Sequence, residues 1–67
     1  MIRVRANGRD YDLDDGTTVA GFVRARGLDP RFVVVEHNGE PLERERYEAV
    51  ALGTGDRLEV VRAVAGG

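Results

Sequence analysis

Apolar and charged residues alternate through the first thirteen positions, a pattern typical of half-buried β-strands. The apolar set is Ile2, Val4, Tyr11 and Leu13, and the charged set is Arg3, Arg5, Asp10 and Asp12. Asn7-Gly8 between the two runs is the favoured pair for a two-residue type I′ turn. A hairpin closed there sets each apolar residue of one strand opposite an apolar residue of the other, and each Arg opposite an Asp. Because a one-residue slip would bury the charges, the sequence predicts this register.

An amphipathic helix is expected after the hairpin. Its apolar face consists of Val19, Phe22 and Val23, at the spacing i, i+3, i+4. Thr17 or Thr18 can cap the amino end. Gly27 suits the left-handed position that follows the last turn, and Asp29-Pro30 prevents continuation. These signals predict a helix of about ten residues.

The rest of the chain alternates strand-like runs with turns. The expected strands are residues 32–36, 40–42 and 57–64, the turns contain Asn38-Gly39 and residues 53–56, and a helical turn is expected within residues 44–50. A single helix must lie across one face of a single sheet. The last strand can lie parallel to the first, because the hairpin and helix form a connection long enough for a crossover. We therefore predict the α+β class and a β-grasp, or ubiquitin-like, fold with a mixed sheet of four to five strands.

Composition limits the chemistry that the side chains can perform. The 67 residues support one domain, which we expect to span residues 1–64, with residues 65–67 as a flexible tail. The chain has no Cys and a single His, so it offers no thiol and no Cys-based metal site, and we expect no catalytic residue, metal or bound cofactor. A net charge of −2 argues against a nucleic-acid partner. No apolar run approaches a membrane span, and a cytoplasmic location is expected.

The sequence ends in Ala65-Gly66-Gly67, directly after the last predicted strand. All ten basic residues are Arg, so no Lys side chain is present to form an isopeptide bond. The Gly67 carboxylate is then the best candidate for a reacting group, and Gly66 and Ala65 would give it access to a narrow partner site because they carry little or no side chain. A frayed terminus is the alternative interpretation of the same residues.

The chain resembles the ThiS family of sulfur carriers in thiamine thiazole synthesis. The resemblance covers nearly the whole chain and rests on Val33-Val34-Val35, Asn38, Pro41-Leu42, Arg44-Glu45, Tyr47, the run from Gly55 to Val61 and the end from Val64 to Gly67. Tyr47 stands where many members carry Trp, a difference expected to alter packing only. The sheet face is also more charged than is usual in the family.

The resemblance implies a carrier rather than an enzyme. A ThiF-like adenylyltransferase would use ATP and Mg²⁺ to adenylate the Gly67 carboxylate, since attaching AMP gives a poor electrophile a good leaving group. Sulfur that originates from a cysteine desulfurase would then form a thiocarboxylate. A ThiG-like thiazole synthase would accept the sulfur.

Other interpretations remain open at this point. A MoaD-like carrier shares the Gly-Gly end, and a carrier of another pathway would also fit. A TGS-like ligand-binding module would resemble the segment 7–19 but would not require the terminal glycines. His37 has no evident nucleophile beside it, and Glu36 should lie on the opposite strand face.

A docking surface for partner enzymes is expected on the sheet face away from the helix. Its candidate residues are Val33 or Val35, Val61 and Ala63. The reason is that strands apolar on both faces leave some apolar groups uncovered.

Overall fold

The structure, a computed structural model, describes residues 1–63. Its strands are β1 (Ile2–Ala6), β2 (Arg9–Leu13), β3 (Val33–His37), β4 (Glu40–Leu42) and β5 (Arg57–Arg62), its helix is α1 (Val19–Ala25), and single 3₁₀ turns occupy Pro30–Phe32 and Arg44–Arg46. The five strands form one sheet in the order β2-β1-β5-β3-β4. Strand β5 is parallel to β1 and antiparallel to β3. The predicted mixed sheet, the helix on one face and the parallel closing strand are confirmed.

The first hairpin has the predicted register. Ile2 faces Leu13, Val4 faces Tyr11, and the two Arg–Asp pairs meet on the other face. Arg3 Nε lies 2.8 Å from an Asp12 carboxylate oxygen, and Arg5 Nε lies 3.1 Å from an Asp10 oxygen. The turn residues have φ values of 51° at Asn7 and 81° at Gly8. Positive φ at both central positions is the geometry of a type I′ turn, so the turn and the charges agree on one register.

Helix α1 has seven residues rather than the ten expected. It begins directly after the N-cap Thr18 and ends before the C-cap Arg26. Thr18 Oγ1 accepts a hydrogen bond of 3.0 Å from the Gly21 N–H. At the other end Gly27 has a φ of 79°, and the Leu28 N–H donates to the Val23 carbonyl. These two contacts are the N-cap and the Schellman motif that the sequence indicates.

The core lies between α1 and one face of the sheet. Its buried residues are Val4, Ala6, Val19, Ala20, Phe22, Val23, Val33, Val35, Tyr47, Leu52 and Leu58. No charged side chain is buried within residues 1–63. The second face of the sheet has no element of the described chain packed over it, and we call it the open face.

Tyr47 does more than fill space, which corrects the expectation that this aromatic alters packing only. Its hydroxyl accepts a hydrogen bond of 3.1 Å from the Val35 N–H and donates one of 3.3 Å to the Val33 carbonyl. An Arg44 guanidinium nitrogen donates to the same carbonyl. These side chains satisfy backbone groups of β3 at Val35, the last residue paired with β4, and at Val33, which lies beyond that pairing.

None of the helices in the part of the chain that the structure describes is long and apolar enough to cross a membrane.

Candidate functional site

Strand β5 leads toward the residues that the sequence marks as reactive. Gly67, Gly66 and Ala65 lie outside the described residues, and the base of the candidate site is the end of β5. Ala63 is the first residue after β5, and its N–H donates a hydrogen bond of 2.7 Å to the Phe32 carbonyl. The central pair β3–β5 therefore holds the chain up to Ala63.

The docking prediction was wrong for Val33 and Val35. Both are buried against the helix, with 1% and 0% of their surface exposed. Successive side chains of a strand point to opposite faces, so Val34 between them is the valine on the open face, and it is 49% exposed. Three consecutive valines show no alternation of apolar and polar residues, so the sequence does not indicate which of them face the core. The pairing of β3 with β5 determines this.

Val61 and Ala63 are exposed, as the docking prediction requires. Val61 lies directly opposite Val34 in the β3–β5 register and is 61% exposed. Phe32, whose carbonyl binds Ala63, is also more than half exposed. An apolar patch of Val34, Val61 and Ala63 thus lies at the carboxyl end of β5. That a partner binds this patch stays a prediction.

Charged residues cover the open face beside this apolar patch. Glu36 lies opposite Glu59, and Arg5 lies opposite Arg57. Like charges directly opposite each other are destabilising in a sheet. A shallow depression of about 350 Å³ between the two hairpin turns is lined by Arg5, Gly8, Glu36, Gly39, Arg57, Leu58 and Glu59. The face therefore combines an apolar patch with separate basic and acidic pairs.

His37 has a partner that the sequence did not reveal. Its Nε2 lies 3.1 Å from an Asp56 carboxylate oxygen, and both side chains are partly buried. The same carboxylate accepts hydrogen bonds from the Gly53 N–H and from the Asn38 side-chain amide. Burial alone would raise the pKa of Asp56, but these hydrogen bonds outweigh it and hold that pKa below its usual value.

These hydrogen bonds give Asp56 a structural role. Its contacts connect the turn before β5 to the turn after β3. Glu36, next to His37 in the sequence, is exposed on the opposite face of β3, as predicted. Within residues 1–63 no three His, Asp or Glu side chains come together as metal ligands.

A groove of about 720 Å³ lies between the end of α1 and the two 3₁₀ turns. It is lined by Arg24, Gly27, Leu28, Asp29, Pro30, Arg31, Arg44, Tyr47 and Glu48. Arg24 pairs with Glu48, and Arg31 pairs with Asp29. Hydrogen bonds from the Arg31 side chain and from its backbone N–H lower the pKa of Asp29 to about 2. The guanidinium groups of Arg24 and Arg31 thus already bind carboxylates of the same chain.

A protein-family model supplies the comparison that decides the family. The model described as the ThiS family matches residues 4–67. The chain belongs to the ThiS family. That match extends over β5 and continues to the terminal Gly-Gly.

Individual relatives agree with the ThiS assignment. The sulfur carrier protein ThiS of Bacillus subtilis (strain 168) is 34% identical over 65 residues, which cover 96% of this chain and 98% of that one. A thiazole synthase of Magnetococcus marinus is 35% identical over 66 residues, which cover 98% of this chain. The match spans only 20% of that synthase, so this chain corresponds to about a fifth of its length.

A solved structure confirms the β-grasp fold. The crystal structure of the thiamine biosynthesis protein ThiS from Geobacter metallireducens superposes with a TM-score of 0.80. The two chains are 30% identical, and the superposition covers 98% of this chain and 100% of the other.

Proposed function

We propose that this ThiS-family chain is a sulfur carrier in thiamine biosynthesis and that the Gly67 carboxylate carries the sulfur. The observation that carries the proposal is the family match, which reaches residue 67 and so includes the terminal glycines. The Bacillus subtilis sulfur carrier supports it, because the alignment covers nearly the whole of both chains.

The proposed reaction begins with activation of the carboxylate. A ThiF-like adenylyltransferase, with ATP and Mg²⁺ bound to that enzyme, joins the Gly67 carboxylate to AMP and releases pyrophosphate. A cysteine desulfurase supplies the sulfur as a persulfide, which displaces AMP and forms an acyl disulfide. A thiol then reduces that disulfide, forming a new disulfide with the persulfide's inner sulfur, and leaves the thiocarboxylate at Gly67. Nothing in this sequence of steps needs a catalytic side chain of the carrier. Because the chain has no Cys and no Lys, the carboxylate at its end has no competing thiol or ε-amine in the same molecule.

A ThiG-like thiazole synthase is the proposed acceptor of the sulfur. Support comes from the Magnetococcus marinus thiazole synthase, which contains a segment similar to this entire domain. We also propose that partner enzymes bind the apolar patch of Val34, Val61 and Ala63. This patch lies at the carboxyl end of β5, four residues before Gly67, so an enzyme that binds it would be close to the reacting end.

The decisive experiment is intact-mass spectrometry after reaction with a ThiF-type adenylyltransferase, ATP, Mg²⁺, a desulfurase with cysteine, and a thiol reductant. Exchange of one oxygen for sulfur should raise the mass of the chain by about 16 Da, a covalent change confined to the terminus. Fragment-ion analysis should place the added sulfur on Gly67.

Two variants serve as controls. A chain that lacks Gly67 should keep its far-UV circular dichroism spectrum and gain no sulfur. Gly66→Ala keeps the terminal carboxylate and adds only a methyl group, so it should react more slowly because the tail is less able to enter a narrow cleft. Sulfur addition to the chain without Gly67 would contradict the proposed site.

A further inference from the structure

Asn7 contacts the backbone of β5 as well as forming the first hairpin turn. Strand β1 pairs with β5 only as far as Ala6, opposite Leu58, because the chain turns back at Asn7. Strand β5 continues for four more residues, to Arg62. On the side where β1 has ended, the backbone of β5 needs another hydrogen-bond partner.

The Asn7 side chain supplies that partner. Its amide nitrogen donates to the Val60 carbonyl at 2.9 Å, and its amide oxygen accepts from the Val60 N–H at 2.8 Å. The Asn7 backbone N–H also donates to the Leu58 carbonyl at 3.0 Å. A primary amide presents an N–H donor and an oxygen acceptor side by side, so it can replace a strand residue in both hydrogen bonds of a ladder position. Asn7 thereby extends the β1–β5 ladder by one position beyond the end of β1.

This contact lies at the base of the candidate site. Val60 is three residues before Ala63 and seven before Gly67. On its other side β5 is held by β3, whose register reaches Arg62, and by the Phe32–Ala63 hydrogen bond. Among residues 1–63, Asn7 therefore makes the contact with the β1 side of β5 that is nearest to Gly67 along the chain.

We propose that Asn7 is a positioning residue for the reaction at Gly67. By fixing Val60, it helps to fix the position and direction of β5 up to Ala63, the last described residue before the reacting end. A partner enzyme then has less backbone entropy to remove when it binds that end. The proposal rests on the proposed function, because it assigns Asn7 a part in delivering the Gly67 carboxylate.

The second Asn-Gly turn offers a matched control. Asn38 has a φ of 52°, close to the 51° of Asn7, and its side chain also binds the backbone of β5. Its contacts, however, are with the N–H of Arg57, the first residue of β5, and with the carboxylate of Asp56 just before it. Both lie at the opposite end of β5 from Ala63. Glycine is well suited to positive φ, so Asn→Gly at either position deletes the side-chain contacts and keeps the turn.

The test combines amide exchange with steady-state kinetics of adenylation. Asn7→Gly should speed hydrogen exchange of the Val60 amide by about tenfold or more, since that amide loses its acceptor. It should raise the KM of the adenylyltransferase for the carrier by about fivefold and leave kcat within about twofold, the pattern of lost uniform binding. Asn38→Gly should leave both the Val60 exchange rate and KM at the wild-type values.

A second variant protects the test against a folding artefact. Asn7→Asp tolerates positive φ and keeps an acceptor for the Val60 N–H, but places an oxygen where the amide nitrogen donated to the Val60 carbonyl. It should raise KM in the same direction. An unchanged KM in both Asn7 variants, or an equal rise in Asn38→Gly, would overturn the positioning role. If the wild-type chain is not adenylated, the proposed function has failed and the positioning role fails with it, while the exchange rate still reports the Asn7 contact.

Discussion

Removal of the Tyr47 hydroxyl tests how far this small sheet depends on side chains that bind its backbone. In Tyr47→Phe the Val33 carbonyl keeps the hydrogen bond from Arg44, whereas the Val35 N–H loses the tyrosine oxygen. Val35 is 0% exposed, so water cannot replace that acceptor without a local opening. A buried donor left without a partner costs about 1–3 kcal/mol.

That cost is large for a domain of this size. Domains below about 70–80 residues rarely have more than ~3–5 kcal/mol of stability from a single core. At about 2.1 cal/mol/K per residue, the unfolding entropy of 67 residues is ~0.14 kcal/mol/K. The expected decrease of the melting temperature in Tyr47→Phe is therefore about 7–20 °C.

Tyr11→Phe is the matched control, because it deletes the same atom from the other tyrosine. The Tyr11 ring packs edge-on against Phe22 with centroids 5.2 Å apart, and its hydroxyl has no hydrogen-bond partner among residues 1–63. The chain has no Trp, so urea and thermal unfolding are best followed by far-UV circular dichroism. Equal losses of stability in the two variants, or a loss below about 0.5 kcal/mol in Tyr47→Phe, would refute the assigned role of the hydroxyl.

Two further predictions concern the open face and the turn before β5. Val61→Asp should weaken adenylation and leave the unfolding midpoint nearly unchanged, because Val61 is 61% exposed. Val35→Asp, by contrast, should unfold the domain, because it places a charge in the core. Normal adenylation of Val61→Asp would show that Val61 is not part of the docking surface. The lowered pKa of Asp56 means that its ionised form is favoured in the fold, so this stabilisation is present above the ordinary pKa of about 3.9 and is lost as the pH falls through the lowered value. Urea midpoints between pH 7 and pH 3 should therefore decline less in Asp56→Asn than in the wild type, and parallel declines would contradict the assignment.

The sequence predicted those features whose signals are local. The hairpin register followed from an Asn-Gly pair between two alternating runs, and two pairs of opposite charges selected the same register. The ends of the helix were predicted approximately, from Thr17 or Thr18 and from Gly27, because the caps observed at Thr18 and Gly27 depend on contacts within five residues.

Contacts between distant segments could not be predicted in the same way. Which of the three consecutive valines 33–35 are buried depends on the register with β5, about 25 residues later. Asn7 was assigned to a turn, because nothing near it in the sequence indicates that its amide binds Val60, 53 residues away. The partner of His37 was missed for the same reason, since Asp56 is 19 residues distant.

The position of β5 also governs when this protein can fold. The strand order β2-β1-β5-β3-β4 consists of two local hairpins that have no strand contact with each other except through β5. During synthesis the hairpins can form early, but the sheet cannot close until residues 57–62 have left the ribosome. Long-range pairing of this kind delays folding, and until it occurs the apolar side of each hairpin stays uncovered. Chains that stop before residue 57 therefore expose the apolar side of both hairpins, and we expect proteases to degrade them faster than chains that contain β5.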